Sequence, residues 1–227
     1  MNGGKLGFAF FWRGLLWICV VLVATAIGAP SGDPRAEFEE ARRWYVRAAS
    51  GDVAALREAV RRFEELTGRP NAEPRVWAYL GSCRLMEAGA AALPLRKLEL
   101  CREGGAWLER AVATAPDDVE VRLVRALSLI HLPGFFNKRA VAQRDLAWVV
   151  ERLHDAPDIP AELAAAAWWQ VGLMHERQRN RRAARAAWEQ AVRCAPLSRS
   201  GRLAAAQLGS EPQRSGSVAE TRGHGKR

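Results

Sequence analysis

AAAWWQVGLMHERQRNRRAARAAWEQAVRCAP, residues Ala165–Pro196, decides the fold. Good helix formers (Ala, Leu, Arg, Glu, Gln) fill it on both sides of Asn180, and the single proline closes it. Ala184, Trp188 and Ala191 fall at i, i+4 and i+7, which is one face of a helix. Gly172, on the run before Asn180, lacks a side chain and lets a second, antiparallel helix approach closely. Small residues facing large ones interlock such a pair, so the stretch predicts a helix hairpin with its tryptophans mainly in the core.

The remaining sequence extends this pattern. Prolines cluster at predicted boundaries (Pro34, Pro70, Pro74, Pro116, Pro157, Pro160, Pro196), with Ala-, Leu-, Arg- and Glu-rich runs between them, which predicts an all-α chain. Tryptophan outnumbers tyrosine nine to two, an unusual balance that the core has to accommodate. The +9 net charge sits largely at the ends: residues 1–28 carry +2 and residues 197–227 carry +4, leaving +3 for the 168 between them. With no basic face interleaved with aromatics and no recognised motif, nucleic acid is not an expected partner.

The last hairpin resembles the tetratricopeptide repeat (TPR) family, whose unit of about 34 residues is a pair of antiparallel helices. The match rests on Trp168, Val171, Gly172 and His175 on a first helix, then Ala184, Trp188, Ala191 and Pro196 on and after the second. His175 departs from the pattern, standing where the family prefers an aromatic. Weaker copies lie upstream. Trp77, Leu80 and Gly81 with Leu108, Ala111 and Pro116 form one, stretched by about 11 residues within Ala88–Arg102 that either lengthen its second helix or form a short lid. Val119–His131, with Ala126, and a helix bearing Ala142, Leu146 and Val149 form another. The connection Leu132–Lys138 between them is about four residues longer than the family turn. Pro34–Ala49 and Asp52–Leu66, joined at Ser50-Gly51-Asp52, make a divergent or capping hairpin, with Trp44 at a place expected to be small.

The resemblance implies a right-handed solenoid of about four TPR-like hairpins over residues 34–208, with Arg199–Leu208 as a capping helix. Residues 209–227 hold only Val218 and Ala219 as apolar side chains and are expected to be a disordered basic tail.

The amino terminus suggests the compartment. Lys5 and Arg13 precede sixteen uncharged residues, Gly14–Ala29, and small residues follow as Ala24-Thr25-Ala26 and Ala26-Ile27-Gly28. This order of charge, apolar run and small residues reads as a signal peptide over 1–28, and hence as a periplasmic or secreted chain. The alternative is an uncleaved anchor over 8–29, since Phe8, Phe10, Phe11 and Trp12 lengthen the apolar stretch toward the roughly 20 residues of a membrane span. In an oxidising compartment Cys83 and Cys101 are either joined or, as small helix residues, simply buried.

Catalysis is not expected. His175-Glu176 opens a zinc-protease motif, but Arg179 occupies the place of its second histidine. No nucleophile elbow, phosphate loop or Cys/His ligand spacing appears, so neither a metal nor a cofactor is expected. Binding is what the resemblance implies: a concave groove, formed by the first helices of the hairpins, that grips a peptide or helix of another protein. Carried over by position, that groove comprises Arg75, Ala78, Ser82, Leu85 and Met86; Glu120, Leu123, Leu127, Ile130 and His131; and Ala166, Trp169, Leu173, Glu176 and Arg177. Trp169 beside Arg177 is its candidate anchor, since such residues dominate interface energetics. The loop with Phe135, Phe136, Lys138 and Arg139 is a second candidate surface, its Phe pair either an exposed apolar tip or a plug for the hairpin junction. The expected function is an exported interaction scaffold or assembly adaptor; the alternative is a membrane-anchored structural subunit of a larger envelope complex, with membrane contact only if the first segment is uncleaved.

Overall fold

The computed structural model describes residues 33–210, of which 79% are helical and none is in a strand. Nine α-helices follow one another among them: α1 Pro34–Ala49, α2 Val53–Thr67, α3 Pro74–Ala90, α4 Pro94–Thr114, α5 Val119–Leu129, α6 Arg139–Val150, α7 Ala161–Arg177, α8 Arg181–Cys194 and α9 Arg199–Ser210. The candidate signal segment and nearly all of the candidate tail lie outside the described residues. The chain divides into Met1–Glu37 and Phe38–Arg227. Within the first unit, Asp33 accepts the backbone N–H of Arg35 at 3.0 Å in the opening turn of α1.

The helices start where local chemistry favours it. Asp52 caps α2 by accepting the Ala55 N–H at 2.9 Å, and one Asp118 oxygen accepts the N–H groups of Glu120 and Val121 at 2.9 and 3.0 Å to cap α5. Asn180 caps α8 through the Ala183 N–H at 3.2 Å. Pro74 and Pro94 open α3 and α4, the position where a missing N–H costs nothing. Gly51, at φ +105°, makes the sharp turn between α1 and α2 that a side chain would strain.

One packing register recurs. Four second helices bury a triplet at i, i+4 and i+7: Ala59, Phe63 and Leu66 on α2; Gly104, Leu108 and Ala111 on α4; Ala142, Leu146 and Val149 on α6; Ala184, Trp188 and Ala191 on α8. A small residue opens each triplet, so a first helix can lie close at that level. In two hairpins the close approach is visible directly: a Cβ on Gly81 would sit 2.7 Å from the Gly104 carbonyl oxygen, and one on Gly172 would sit 2.1 Å from Trp188 Nε1. Helices pair with their chain neighbours, α3 with α4, α5 with α6 and α7 with α8. Alternate helices also touch in sequence, α3 with α5, α5 with α7 and α7 with α9. Helix α9 also packs on α8, where Ala204 and Leu208 join Trp188, Ala184 and Ala191 in a local core.

Residues 88–102, expected to lengthen a second helix or form a lid, lie mainly in a long helix: α4 has 21 residues, reached from Ala90 by a three-residue connection. The other stretch, at 132–138, holds a short 3-10 turn, Gly134–Phe136, that ends on Asn137 at φ +54°. Cys83 and Cys101 are unbonded and buried, and burial raises both thiol pKa values. No helix among the described residues is long and apolar enough to cross a membrane.

Two buried ionic clusters fasten the hairpins. Glu120, 2% exposed, accepts the Tyr79 hydroxyl at 2.5 Å and Arg42 Nη1 at 2.9 Å, and the same Arg42 nitrogen donates to the Asp158 carbonyl at 3.0 Å. Asp145, also buried, takes both arms of Arg125, at 2.7 and 2.9 Å, while Arg125 reaches Glu109 at 3.1 Å. Fork-shaped pairing of this kind suits arginine and not lysine. Two partly buried tryptophans have arginine lids: Arg122 and Arg152 lie 4.4 and 4.2 Å from the Trp148 ring centre, and Arg110 lies 4.1 Å from that of Trp77.

Candidate binding groove

A groove of about 470 Å³ runs across the odd-numbered helices. Tyr45 and Ala49 come from α1; Ser82, Leu85 and Met86 from α3; Leu127 and Ser128 from α5, with His131 just beyond it. Helix α7 supplies Leu163, Ala166, Trp169 and Gln170, and α9 supplies Arg199, Ser200 and Leu203. Each set lies on one helical face, which is why residues so scattered in sequence meet.

The floor is a relay of hydroxyls. Tyr45 Oη lies 2.9 Å from Ser82 Oγ, Ser82 Oγ lies 2.7 Å from Ser128 Oγ, and Ser128 Oγ lies 2.6 Å from the Val124 carbonyl. The single Ser128 proton is shared between Ser82 Oγ and the Val124 carbonyl, and in the outer pair either Tyr45 or Ser82 can donate, so the relay offers a ligand lone pairs and a hydroxyl proton. Burial, foremost, raises the Tyr45 pKa and keeps that proton in place.

The charged groups lining the groove are Arg199 and the titratable His131; no carboxylate lines it. His131 keeps solvent access, yet partial desolvation by the groove walls, followed by the Arg199 charge, lowers its pKa below 6.5. Its Nε2 lies 3.5 Å from Gln170 Nε2. Because the folded chain binds this proton less readily than the unfolded one, the group destabilises the fold as pH falls below 6.5 and is silent above it. A proton NMR titration is expected to place the His131 pKa below 6.5, and Arg199→Gln to move it part of the way back. An unchanged value in the variant would show that Arg199 does not act on the ring.

Of the residues expected from sequence, the structure brings Ser82, Leu85, Met86, Leu127, His131, Ala166 and Trp169 together. Leu123 is 0% exposed and belongs to the core, as do Ala78 and Ile130. Arg75 is engaged with Asp118 at 2.8 Å and Glu120 at 3.3 Å, and Glu120 is buried as described. Leu173 packs into the Trp188 core. Glu176 borders a separate cavity of about 510 Å³ with Arg179, Arg181, Ala184 and Trp188, and accepts Gln207 Nε2 at 3.0 Å. Arg177 is exposed and does not line the groove, so Trp169 has Gln170 and Arg199 for neighbours there, and leans on Trp188 at 6.0 Å between ring centres. In the loop, Phe136 packs inward, Phe135 is 79% exposed, Lys138 pairs with Glu109 at 3.0 Å, and Arg139 is exposed.

Not expected from sequence are Tyr45, Ala49, Ser128, Leu163, Gln170 and the three groove residues of α9. Extending each face by one helical step finds Leu163, three residues before Ala166, and Gln170, four after it. Tyr45 and α9 were hidden because the terminal hairpin and the final helix were read as caps. Compared with protein-family models, with curated proteins and with solved structures, the chain matches none.

Proposed function

We propose that this protein is an exported binding scaffold, a right-handed solenoid of about four TPR-like hairpins whose first helices hold a peptide or helix of another protein. The observation that carries the reading is the convergence of Met86, Leu127, His131 and Trp169, from three hairpins, with Arg199 and Leu203 on one groove of about 470 Å³. Its support is the recurring buried triplet on the second helices and the succession of alternate helices in contact. Export rests on the charged, apolar and small-residue order of residues 1–28. Apolar walls, a hydroxyl floor and the cationic Arg199 favour an extended segment with a bulky apolar side chain, backbone polar groups for the floor and a carboxylate near Arg199.

Selection from a random peptide library tests this. Selected peptides are expected to share an apolar residue next to an acidic one, and the double variant Met86→Lys, Leu203→Asp to bind them at least about tenfold more weakly, which is about 1.4 kcal/mol. Both side chains are at least partly exposed, so the variant keeps its fold, as its unfolding midpoint will verify. Equal binding by wild type and variant would remove the groove from the function.

A further inference from the structure

The two stretches of extra residues, at 88–102 and 132–138, are one structural feature. Leu132 and Phe136 of the second pack, with Ala91, onto Ala88, Leu100 and Cys101 of the first, forming a small core of their own. The same two segments leave large apolar side chains in solvent: Leu93 is 70% exposed, Leu95 78% and Phe135 79%. None of the three lines the groove.

Charge around this tip is one-sided. Over residues 91–102 and 132–139 the basic side chains are Arg96, Lys97, Arg102, Lys138 and Arg139, and the only carboxylate is Glu99. Lys138 is held by Glu109 at 3.0 Å, and Glu87 and Glu103, just outside these ranges, are held by Arg84 at 2.8 and 2.9 Å. Among the described residues Lys97, Arg102 and Arg139 form no ion pair, and Glu99 reaches Arg96 only at 3.4 Å with both side chains more than half exposed, so screening by water leaves that arginine charge largely available.

We propose that this joined tip is a membrane-docking surface whose ligand is the interface of an anionic lipid bilayer. The tip is formed by the connections at 91–93 and 130–138 and the first turn of α4. Exposed leucine and phenylalanine enter the headgroup–acyl boundary of a fluid bilayer without needing a preformed pocket for each side chain. The basic rim meets anionic headgroups, which concentrate cationic side chains at the surface. Membrane contact through this tip is independent of the groove and of whether residues 8–29 are cleaved.

Hydrogen exchange of the full chain, followed by mass spectrometry, locates any contact even if the apolar amino-terminal segment also binds lipid. With vesicles of phosphatidylcholine and phosphatidylglycerol, amides in 91–98 and 132–139 are expected to exchange more slowly. With phosphatidylcholine alone that protection is expected to be lost. Leu95→Asp combined with Phe135→Asp is expected to abolish it, and Lys97→Glu combined with Arg139→Glu to abolish it as well; all four side chains are exposed, so the helices they sit on persist. Unchanged exchange in both segments while the protein sediments with the vesicles would overturn the proposal, because attachment would then run through another segment. Equal protection on neutral vesicles would overturn the anionic preference, and protection only by an acidic protein would replace the bilayer as ligand.

Discussion

Glu120→Ala is expected to destabilise the protein by about 3 kcal/mol. Two losses combine. Tyr79, wholly buried, loses the acceptor of its hydroxyl, whose pKa burial and the adjacent Glu120 charge raise well above 10 and which therefore stays a donor. A buried donor left unmade costs about 1–3 kcal/mol. Arg42, 11% exposed at its side chain, loses one of two carboxylates; Glu39 at 2.5 Å and the Asp158 carbonyl at 3.0 Å still hold it, which keeps the total below that of a stranded charge. Arg75, at 3.3 Å and more exposed, adds little. Glu120→Gln keeps an oxygen for Tyr79 and removes only the charge, so its cost should be about 1–2 kcal/mol. Urea unfolding will measure both, and a cycle with Tyr79→Phe should show a coupling of about 1 kcal/mol or more. Additive losses would mean that Tyr79 and Glu120 do not act together.

That carboxylate also shows what the sequence conceals. Acid-rich helices of amphipathic character suggest solvated faces, and for Glu58, paired with Arg61 and Arg62 at the surface, that is so. Glu120 is carried by position into the groove, and nothing local shows that it is instead buried against Arg42, 78 residues upstream. Helix ends were the legible part: proline, aspartate and asparagine act locally, through the missing N–H or the capped one, and the ends they predict are close to those found. The groove was half legible. Helical periodicity places Met86, Leu127, His131 and Trp169 on their faces, but no local rule states that Leu123 turns into the core or that α9 returns to line the same groove. The Phe135-Phe136 pair had two readings, and each residue takes one of them.

Gly104→Ala and Gly105→Ala should have effects of opposite sign, although the positions are adjacent on α4. Alanine at either site gains helix propensity of about 1 kcal/mol over glycine. At Gly105 nothing lies within 4 Å of an added Cβ, so the gain stands and the protein becomes more stable by up to that amount. At Gly104 the new carbon would meet the Gly81 carbonyl oxygen at 2.6 Å and the Leu85 side chain at 2.9 and 3.0 Å. Leu85 can change rotamer; the Gly81 carbonyl is backbone and cannot. The helices must separate, which loosens Leu108 and Tyr79 in the core beside them and distorts the face that carries Ser82 and Met86 into the groove. Overpacking of this kind costs about 1–3 kcal/mol and more when backbone is involved, so a net loss of about 2 kcal/mol remains after the propensity gain. The resemblance places Gly81 on its pattern and not Gly104, because α4 lies beyond the spacing that the resemblance leads one to expect. Both glycines are needed, since each backbone oxygen occupies the space where the other's Cβ would stand. Thermal unfolding of the two variants decides the matter: stabilisation by Gly104→Ala would show that α3 and α4 sit farther apart than these distances require.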